Sequence, residues 1–234
     1  MSGESLHTPG GESSISNERL SHYAGEVKAL LESGVQVALV MGGGNIIRGS
    51  QLARTGIERA TADYMGMLGT VINSMALQDA LEKMGVHSRV QSAIHMEQVA
   101  EPYIRRRAVR HLEKGRVVIF CAGTGNPYFT TDTAAALRAL EINADVFIKG
   151  TRVDGVYTAD PEKDPQARRY LRLSYKEAIE RDLNILDGPA FVMCRDNGLP
   201  ILICDITTGG RLREVLAGNG AHTEVGAFEQ SELE

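Results

Sequence analysis

The sequence has few cysteines and no long apolar segment, and both absences limit the kind of protein it can be. Cys121, Cys194 and Cys204 are its only cysteines, and no two of them form a C-x-x-C pair. Each lies beside apolar residues, so we expect small buried thiols in a reducing compartment. No apolar run approaches the ~20 residues that a transmembrane helix needs, and the first thirty residues contain no signal-peptide core. These absences predict a cytoplasmic protein.

The chain also lacks a strong positive charge and the motifs of several enzyme classes. Its net charge is −5, which argues against a general nucleic-acid surface. The one basic run, at 104–110, lies in a predicted helix and is interpreted as a solvated face. No H-E-x-x-H motif, Cys/His cluster or recognisable Ser/His/Asp arrangement is present. We therefore predict no metal held by protein side chains, and we interpret the six histidines as structural or surface residues.

Short apolar runs alternate with helical patterns along the chain. Strands are predicted at 35–41, 86–92, 116–121, 144–149 and 200–206, and helices at 17–33, 59–84, 103–114, 131–142, 174–182, 187–198 and 209–217. This alternation implies crossover units and a mainly parallel sheet that is covered on both faces. Asp154-Gly155, flanked by valines, adds a hairpin signal. We predict one α/β domain over 1–218 and a polar, acidic, loose tail over 219–234.

Two of the predicted strands end in glycine-rich loops. The first loop lies in MGGGNIIRG at 41–49, and the second lies in CAGTGNPYFTTD at 121–132. Ligands of open parallel sheets bind beyond the carboxyl ends of the strands, and exposed N–H groups of glycine loops attract phosphate oxygens. Arg48 adds a planar fork of donors that suits phosphate. Neither loop has the P-loop or dinucleotide fingerprint, and a tight strand-to-helix turn is the alternative interpretation of each.

A third polar segment, KGTRVDGVYTADP at 149–161, also follows a predicted strand. It contains several hydrogen-bonding side chains, one aromatic ring and a turn that ends in proline. A ring with a few polar groups is what a purine pocket requires. The alternative interpretation is a surface hairpin with solvated charges.

In this order and spacing, the three segments resemble the bacterial uridylate kinases, a branch of the amino-acid-kinase family. The resemblance covers 2–218 and depends on GGGNIIRG, DYMGM at 63–67, AGTGNPYFTTDTAA and KGTRVDGVYTADP. It implies a three-layer α/β/α sandwich with a mainly parallel open sheet. The implied reaction transfers the γ-phosphoryl group of ATP to UMP, with Mg²⁺ held mainly through nucleotide phosphates. A homohexamer activated by GTP and inhibited by UTP is also implied, in pyrimidine nucleotide biosynthesis and without a nucleic acid substrate or a membrane.

The resemblance also implies roles for individual residues. Those expected to bind UMP are Gly43, Asp63, Thr124, Gly125, Asn126, Pro127, Tyr128, Phe129, Thr130 and Thr131. Those expected to bind ATP are Ser2, Gly3, Gly44, Arg48, Thr151, Tyr157 and Asp160. Asp63 suits the ribose because a carboxylate can accept from two hydroxyls.

Arg48 and Asp187 are the residues that the resemblance marks as catalytic. For Asp187, the alternative is a helix N-cap before Gly188-Pro189. Asp132 has the same two interpretations, since it can cap the helix that follows it or contact a ligand. The segment 7–14 matches the position of the family's GTP-responsive loop.

The first residues match a turn that follows a central strand in the family. In relatives this turn reads lysine, a hydrophobic residue, then Ser-Gly-Glu, and the lysine neutralises the transferring phosphate. Here Met1 takes the hydrophobic position before Ser2-Gly3-Glu4. We interpret this as a start codon assigned too late. If the strand and lysine are truly absent, the alternative is a non-catalytic nucleotide-binding subunit; a related carboxylate or carbamate kinase is a further alternative.

Overall fold

The structure, a computed structural model, describes residues 1–7, 13–52, 55–161, 163–183 and 185–234. These residues form two compact units, Met1–Arg138 and Ala139–Glu234. Within the described ranges, no helix is both long enough and apolar enough to cross a membrane.

The first unit contains a parallel sheet with the strand order β1-β4-β2-β3. Its elements are a 3₁₀ helix at Gly3–Leu6, α1 (Asn17–Glu32), β1 (Ala38–Val40), α2 (Gly49–Leu52), α3 (Arg59–Lys83), β2 (Ser88–Ser92), β3 (Glu101–Pro102), α4 (Arg105–Glu113), β4 (Val117–Cys121) and the start of α5 (Thr131–Glu141). Every residue of β4 is buried. An apolar run with no alternation is typical of a strand covered on both faces.

Helix α3 packs against β2 and β4 and organises this unit. Its buried side chains include Met67, Val71, Leu77 and Leu81. The same helix also exposes four large apolar side chains, which are Tyr64, Leu68, Ile72 and Met75. Helix α3 is therefore apolar on two faces, and only one of them packs on the sheet.

The second unit contains a mixed sheet with the strand order β5-β7-β8-β6-β9. Its elements are β5 (Phe147–Thr151), β6 (Tyr170–Ser174), α6 (Tyr175–Glu180), α7 (Gly188–Asp196), β7 (Ile201–Asp205), α8 (Arg211–Leu216), β8 (Thr223–Gly226) and β9 (Glu232–Leu233). The pairs β5/β7 and β6/β8 are parallel, whereas β7/β8 and β6/β9 are antiparallel.

The five predicted strands and seven predicted helices are confirmed, with ends that differ by a few residues. The expectation of a loose tail after 218 is wrong, because β8 and β9 both join the sheet of the second unit. Thr223 and Val225 of β8 are fully buried. Inward-facing side chains two positions apart are typical of a strand, but TEVG shows only one such repeat.

The prediction of a hairpin at Asp154-Gly155 is also wrong. Strand β5 ends earlier, at Thr151, and Tyr157 instead forms an isolated antiparallel bridge with Arg169. A two-residue Asp-Gly hairpin needs positive φ at both positions, and neither residue has it. Gly155 serves close packing instead, since a Cβ there would lie 2.5 Å from the Thr223 hydroxyl oxygen.

The three cysteines are buried and free, as predicted. Burial raises the pKa of the Cys121 thiol to about 12 and the pKa values of Cys194 and Cys204 to about 11. The thiolate is the nucleophilic form of cysteine, so these side chains act as small apolar groups of the core.

Candidate active site

The first glycine loop, residues 42–48, follows β1 and packs against the start of the chain. The N–H of Gly42 donates to the carbonyl of Met1 over 2.9 Å. A Cβ at Gly3 would lie 2.5 Å from the Asn45 side-chain oxygen and 2.7 Å from the Gly42 carbonyl oxygen. Gly3 is therefore needed for this close approach, and Ser2 beside it caps the 3₁₀ helix through its hydroxyl.

Helix α3 fixes the other side of the first glycine loop. A Cβ at Gly43 would lie 2.6 Å from the carbonyl oxygen of Gly66 in α3. The fully buried amide of Asn73 donates to the Gly42 carbonyl and to the Asn45 side-chain oxygen, both over 2.7 Å. The loop is thus held by backbone packing and by a buried amide, which leaves little freedom in its position.

Arg48 lies at the end of this loop and forms an ion pair with Glu4. The side chains of Arg48 and Glu4 are 45% and 36% exposed. Gly44 lies beside the pair, since a Cβ there would be 3.8 Å from both side chains. Exposed ion pairs contribute little to stability, so a phosphate group can replace Glu4 on the guanidinium at small cost.

The second glycine loop, residues 122–130, follows β4 and has an unusual backbone. Four of its residues have positive φ, namely Ala122, Gly123, Gly125 and Tyr128. The Ala122 N–H donates to the Thr70 hydroxyl over 2.7 Å, and that hydroxyl donates to the Met67 carbonyl over 2.7 Å. A buried hydroxyl of α3 therefore compensates a strained non-glycine position in this loop.

Asp63 of α3 reaches the second glycine loop directly. One carboxylate oxygen, Oδ2, accepts from the backbone N–H of Tyr128 over 2.8 Å. The Arg59 Nε donates to Oδ1 and Oδ2 over 2.8 and 2.9 Å. The Arg59 guanidinium carbon also lies 5.7 Å from the centre of the Tyr128 ring. Asp63 thus contacts the predicted UMP loop. It also contacts Arg59, which was not among the predicted site residues.

The remaining residues of this loop organise its turn and the helix that follows. The Thr124 hydroxyl accepts from the Asn126 N–H over 3.2 Å. The Thr130 hydroxyl accepts from the N–H groups of Asp132 and Thr133, which makes Thr130 the N-cap of α5. The interpretation of Asp132 as the cap is therefore wrong, because Thr130 has the required position just outside the helix.

Of the predicted ATP residues in the second unit, Thr151 is the last residue of β5, and Tyr157 and Asp160 lie between β5 and β6. The Thr151 hydroxyl donates to the Val153 carbonyl over 2.6 Å, and the Asp160 carboxylate pairs with Lys163 over 2.9 Å. The Tyr157 hydroxyl donates to Asp154 over 2.8 Å. Burial and this hydrogen bond raise the pKa of Tyr157, so the phenol stays protonated and can donate.

Asp187 caps helix α7. Its carboxylate accepts from the Ala190 N–H over 2.9 Å, and Pro189 lies in the first turn of the helix. The capping interpretation is confirmed, and the catalytic role of Asp187 stays a prediction.

Within the first unit, the predicted residues form two groups along α3. Ser2, Gly3, Gly44 and Arg48 lie around the first glycine loop, whereas Asp63 meets the second. The segment 7–14, which was predicted to respond to GTP, lies outside the described residues at 8–12. Sequence reasoning missed Glu4, Arg59, Thr70 and Asn73; the i,i+4 spacing of Arg59 and Asp63 is a signal that could have found one of them.

Comparison with known proteins gives a family and close structural relatives. The profile of the Amino acid kinase family matches residues 6–205. The chain is similar to the crystal structure of a UMP kinase from Bacillus anthracis, with 37% identity and a TM-score of 0.94 over 100% of this chain and 96% of that one. It is also similar to a UMP kinase from Ureaplasma parvum, with 34% identity and a TM-score of 0.92 over 96% of this chain and 95% of that one. The predicted fold class, a three-layer α/β/α sandwich with a mainly parallel open sheet, is confirmed.

Proposed function

Since this chain belongs to the amino acid kinase family, we propose that it is a UMP kinase, which transfers the γ-phosphoryl group of ATP to UMP and yields UDP and ADP. The observation that carries the proposal is similarity over the full chain to UMP kinases at 34–37% identity. The contact between Asp63 and the second glycine loop supports it. The alternatives of a carboxylate or carbamate kinase and of a non-catalytic subunit are not favoured.

The acceptor nucleotide is assigned to the two glycine loops and to Asp63 of α3 in the first unit. Gly43, Asp63 and the segment Thr124–Thr131 would bind UMP. The backbone of a glycine-rich loop suits its phosphate, and the Asp63 carboxylate suits a ribose hydroxyl. Positive φ at Tyr128 turns its N–H toward Asp63, so the carboxylate and the loop would bind the nucleotide as one structure.

For ATP we keep the residues that the resemblance implies, and we treat each unit by itself. In the first unit they are Ser2, Gly3, Gly44 and Arg48, and in the second unit they are Thr151, Tyr157 and Asp160. Phosphoryl transfer depends on positioning and on positive charge near the transferring group. Arg48 would supply that charge. For Asp187, which caps α7, we keep the catalytic role that the resemblance implies.

The proposed reaction includes Mg²⁺. In the part of the chain that the structure describes, no group of three or more His, Cys, Asp or Glu side chains is placed to hold a metal ion. We propose that the ion would be held mainly by nucleotide phosphates and water, as is common for Mg²⁺. When bound, Mg²⁺ neutralises charge on the phosphates.

The proposal extends to a homohexamer. The four exposed apolar residues of α3, which are Tyr64, Leu68, Ile72 and Met75, are each 44–51% exposed and follow one face of the helix. We name them the α3 stripe. A contiguous exposed apolar patch marks an interaction surface, and a second copy of the chain is the partner that a homohexamer requires.

Regulation and cellular setting follow from the same resemblance. We include activation by GTP, inhibition by UTP, a role in pyrimidine nucleotide biosynthesis and a cytoplasmic location in the proposal. Each is testable separately from the reaction, because loss of an effector response leaves the basal phosphorylation of UMP in place.

The test of the reaction uses four acceptors with ATP and Mg²⁺. Purified protein is incubated with UMP, CMP, glutamate or aspartate, and the products are separated by ion-exchange chromatography. We expect UDP and ADP in equal amounts with UMP. A phosphorylated amino acid as the main product would contradict the proposal. UMP binding by calorimetry without UDP formation would indicate a non-catalytic subunit.

A further inference from the structure

The contacts of Asp63 leave its carboxylate with little unused capacity. A carboxylate has about four lone-pair positions, two on each oxygen. Oδ2 accepts from Arg59 Nε and from the Tyr128 N–H, while Oδ1 accepts from Arg59 Nε. One position on Oδ1 therefore remains. The Asp63 side chain is 12% exposed, which agrees with access to a single further donor.

Arg59 contacts both parts of the predicted acceptor site. Its Nε spans the two oxygens of Asp63, and its guanidinium lies near the ring of Tyr128. Tyr128 is also the residue whose N–H binds Asp63. One cation therefore orients the carboxylate and contacts the loop that the carboxylate binds.

We propose that Arg59 is a positioning residue that determines acceptor specificity: it holds Asp63 so that only Oδ1 is left to accept one ribose hydroxyl. This inference rests on the proposed function, because it takes UMP as the ligand of Asp63. Arg59 itself contacts no substrate in this scheme. Its action is on the orientation of Asp63 and on the second glycine loop.

Helix α3 supplies a matched control. Lys83 and Asp79 form another i,i+4 ion pair, with side chains 74% and 63% exposed. Lys83→Gln removes the same charge from the same helix as Arg59→Gln. The Lys83–Asp79 pair contains no residue of either glycine loop, so its loss reports only the general effect of a missing surface cation.

The experiment measures binding of UMP by calorimetry in the absence of ATP, and then kcat and KM. Arg59→Gln is expected to weaken UMP binding by about tenfold or more, because an Asp63 carboxylate that is no longer held in place loses its charged hydrogen bond to the ribose hydroxyl. ATP affinity, kcat and the melting temperature should change little. Lys83→Gln should match the wild type, and Arg59→Lys should recover part of the UMP affinity because it retains the charge.

Deoxy analogues of UMP test the single remaining position on Oδ1. In the wild type, only one of the two ribose hydroxyls should contact Oδ1. Removal of that hydroxyl should weaken UMP binding about tenfold, and removal of the other should have little effect. Equal losses for both analogues would overturn the inference, as would wild-type UMP affinity in Arg59→Gln.

Three outcomes separate the inference from the proposed function. Equal weakening of UMP and ATP in Arg59→Gln, with a lower melting temperature, would mean that Arg59 only supports the fold and would overturn the inference. If the wild type bound no UMP, the proposed function would fail and the inference with it. If the wild type binds and phosphorylates UMP while Arg59→Gln is unaffected, the inference alone fails.

Discussion

At the residue scale, Arg48 is the cation that we propose to act on the transferring phosphate. It ends the first glycine loop and is bound to Glu4 rather than buried. An exposed pair of this kind exchanges partners easily. The arrangement keeps the guanidinium near the loop while it remains available to a ligand.

Arg48→Ala should lower kcat much more than it weakens UMP binding. Loss of one donor to developing charge typically costs on the order of 10²–10³ in rate. Glu4→Gln is the matched control, because it releases Arg48 without removing it, and its kcat should stay near the wild-type value. Steady-state kinetics and UMP calorimetry measure both effects. Wild-type turnover in Arg48→Ala would exclude this role.

At the element scale, α3 holds both glycine loops. Gly66 and Asn73 fix the first loop, whereas Asp63 and Thr70 fix the second. The helix therefore sets the distance between the proposed sites for phosphate and ribose. Mutations that shift α3 should affect both loops together.

Gly43→Ala and Gly44→Ala should separate packing from binding. The new Cβ at 43 would lie 2.6 Å from a backbone oxygen of α3, whereas at 44 the nearest atoms lie at 3.8 Å. We expect Gly43→Ala to lower the free energy of unfolding by about 1–3 kcal/mol and Gly44→Ala to change it by less than about 0.5 kcal/mol. Urea unfolding measures the difference. Equal stability of the two variants would contradict this packing.

Strand β3 and helix α4 share a charged cluster around Glu101. His111 contacts Glu101 over 3.1 Å, Gln91 donates to it over 3.3 Å, and Arg89 lies 3.5 Å away. Burial raises the pKa of Glu101, but the hydrogen bonds from Gln91 and His111, with the charge of Arg107, outweigh burial and leave the pKa below its ordinary value. The folded state therefore favours the ionised carboxylate.

Glu101→Gln should reduce stability at neutral pH and have a smaller effect in acid. Because the folded pKa is lowered, the contribution of Glu101 is complete above the ordinary carboxyl pKa of about 4.3 and is lost as the pH falls through the folded value. Urea unfolding of both proteins from pH 7 down to about pH 3.5 measures the difference. A difference in stability that stays constant over this range would mean that the carboxylate charge is not involved.

Strongly periodic elements could be predicted from the sequence, and long-range contacts could not. The apolar run of β4 predicts a buried strand, and the long helical pattern of α3 predicts a helix. Strand β8 was missed because four residues with two inward side chains give too short a pattern. The motifs pointed to Asp63 and to the loop at 124–131. Their contact joins a side chain to a backbone N–H 65 residues away, and no local pattern encodes it.

At the scale of the whole molecule, the α3 stripe predicts assembly. Leu68→Asp combined with Ile72→Asp should dissociate the oligomer, because burying two carboxylates without partners is costly. Val192→Asp is the control, as Val192 is 41% exposed and lies outside the stripe. Light scattering after gel filtration should give about 152 kDa for six chains of 25.4 kDa and a smaller mass for the double variant. An unchanged mass would exclude the stripe as an interface.

The separation of Asp63 and Tyr128 along the chain also matters during synthesis. Tyr128 comes 65 residues after Asp63, and at ~5–20 residues per second the ribosome needs ~3–13 s to reach it. For that time Asp63 has no backbone donor from the second glycine loop. Arg59, four residues before Asp63, has already been made. Arg59, which positions Asp63 in the finished protein, can thus pair with Asp63 as soon as the first turn of α3 forms. The second glycine loop is still being translated at that time.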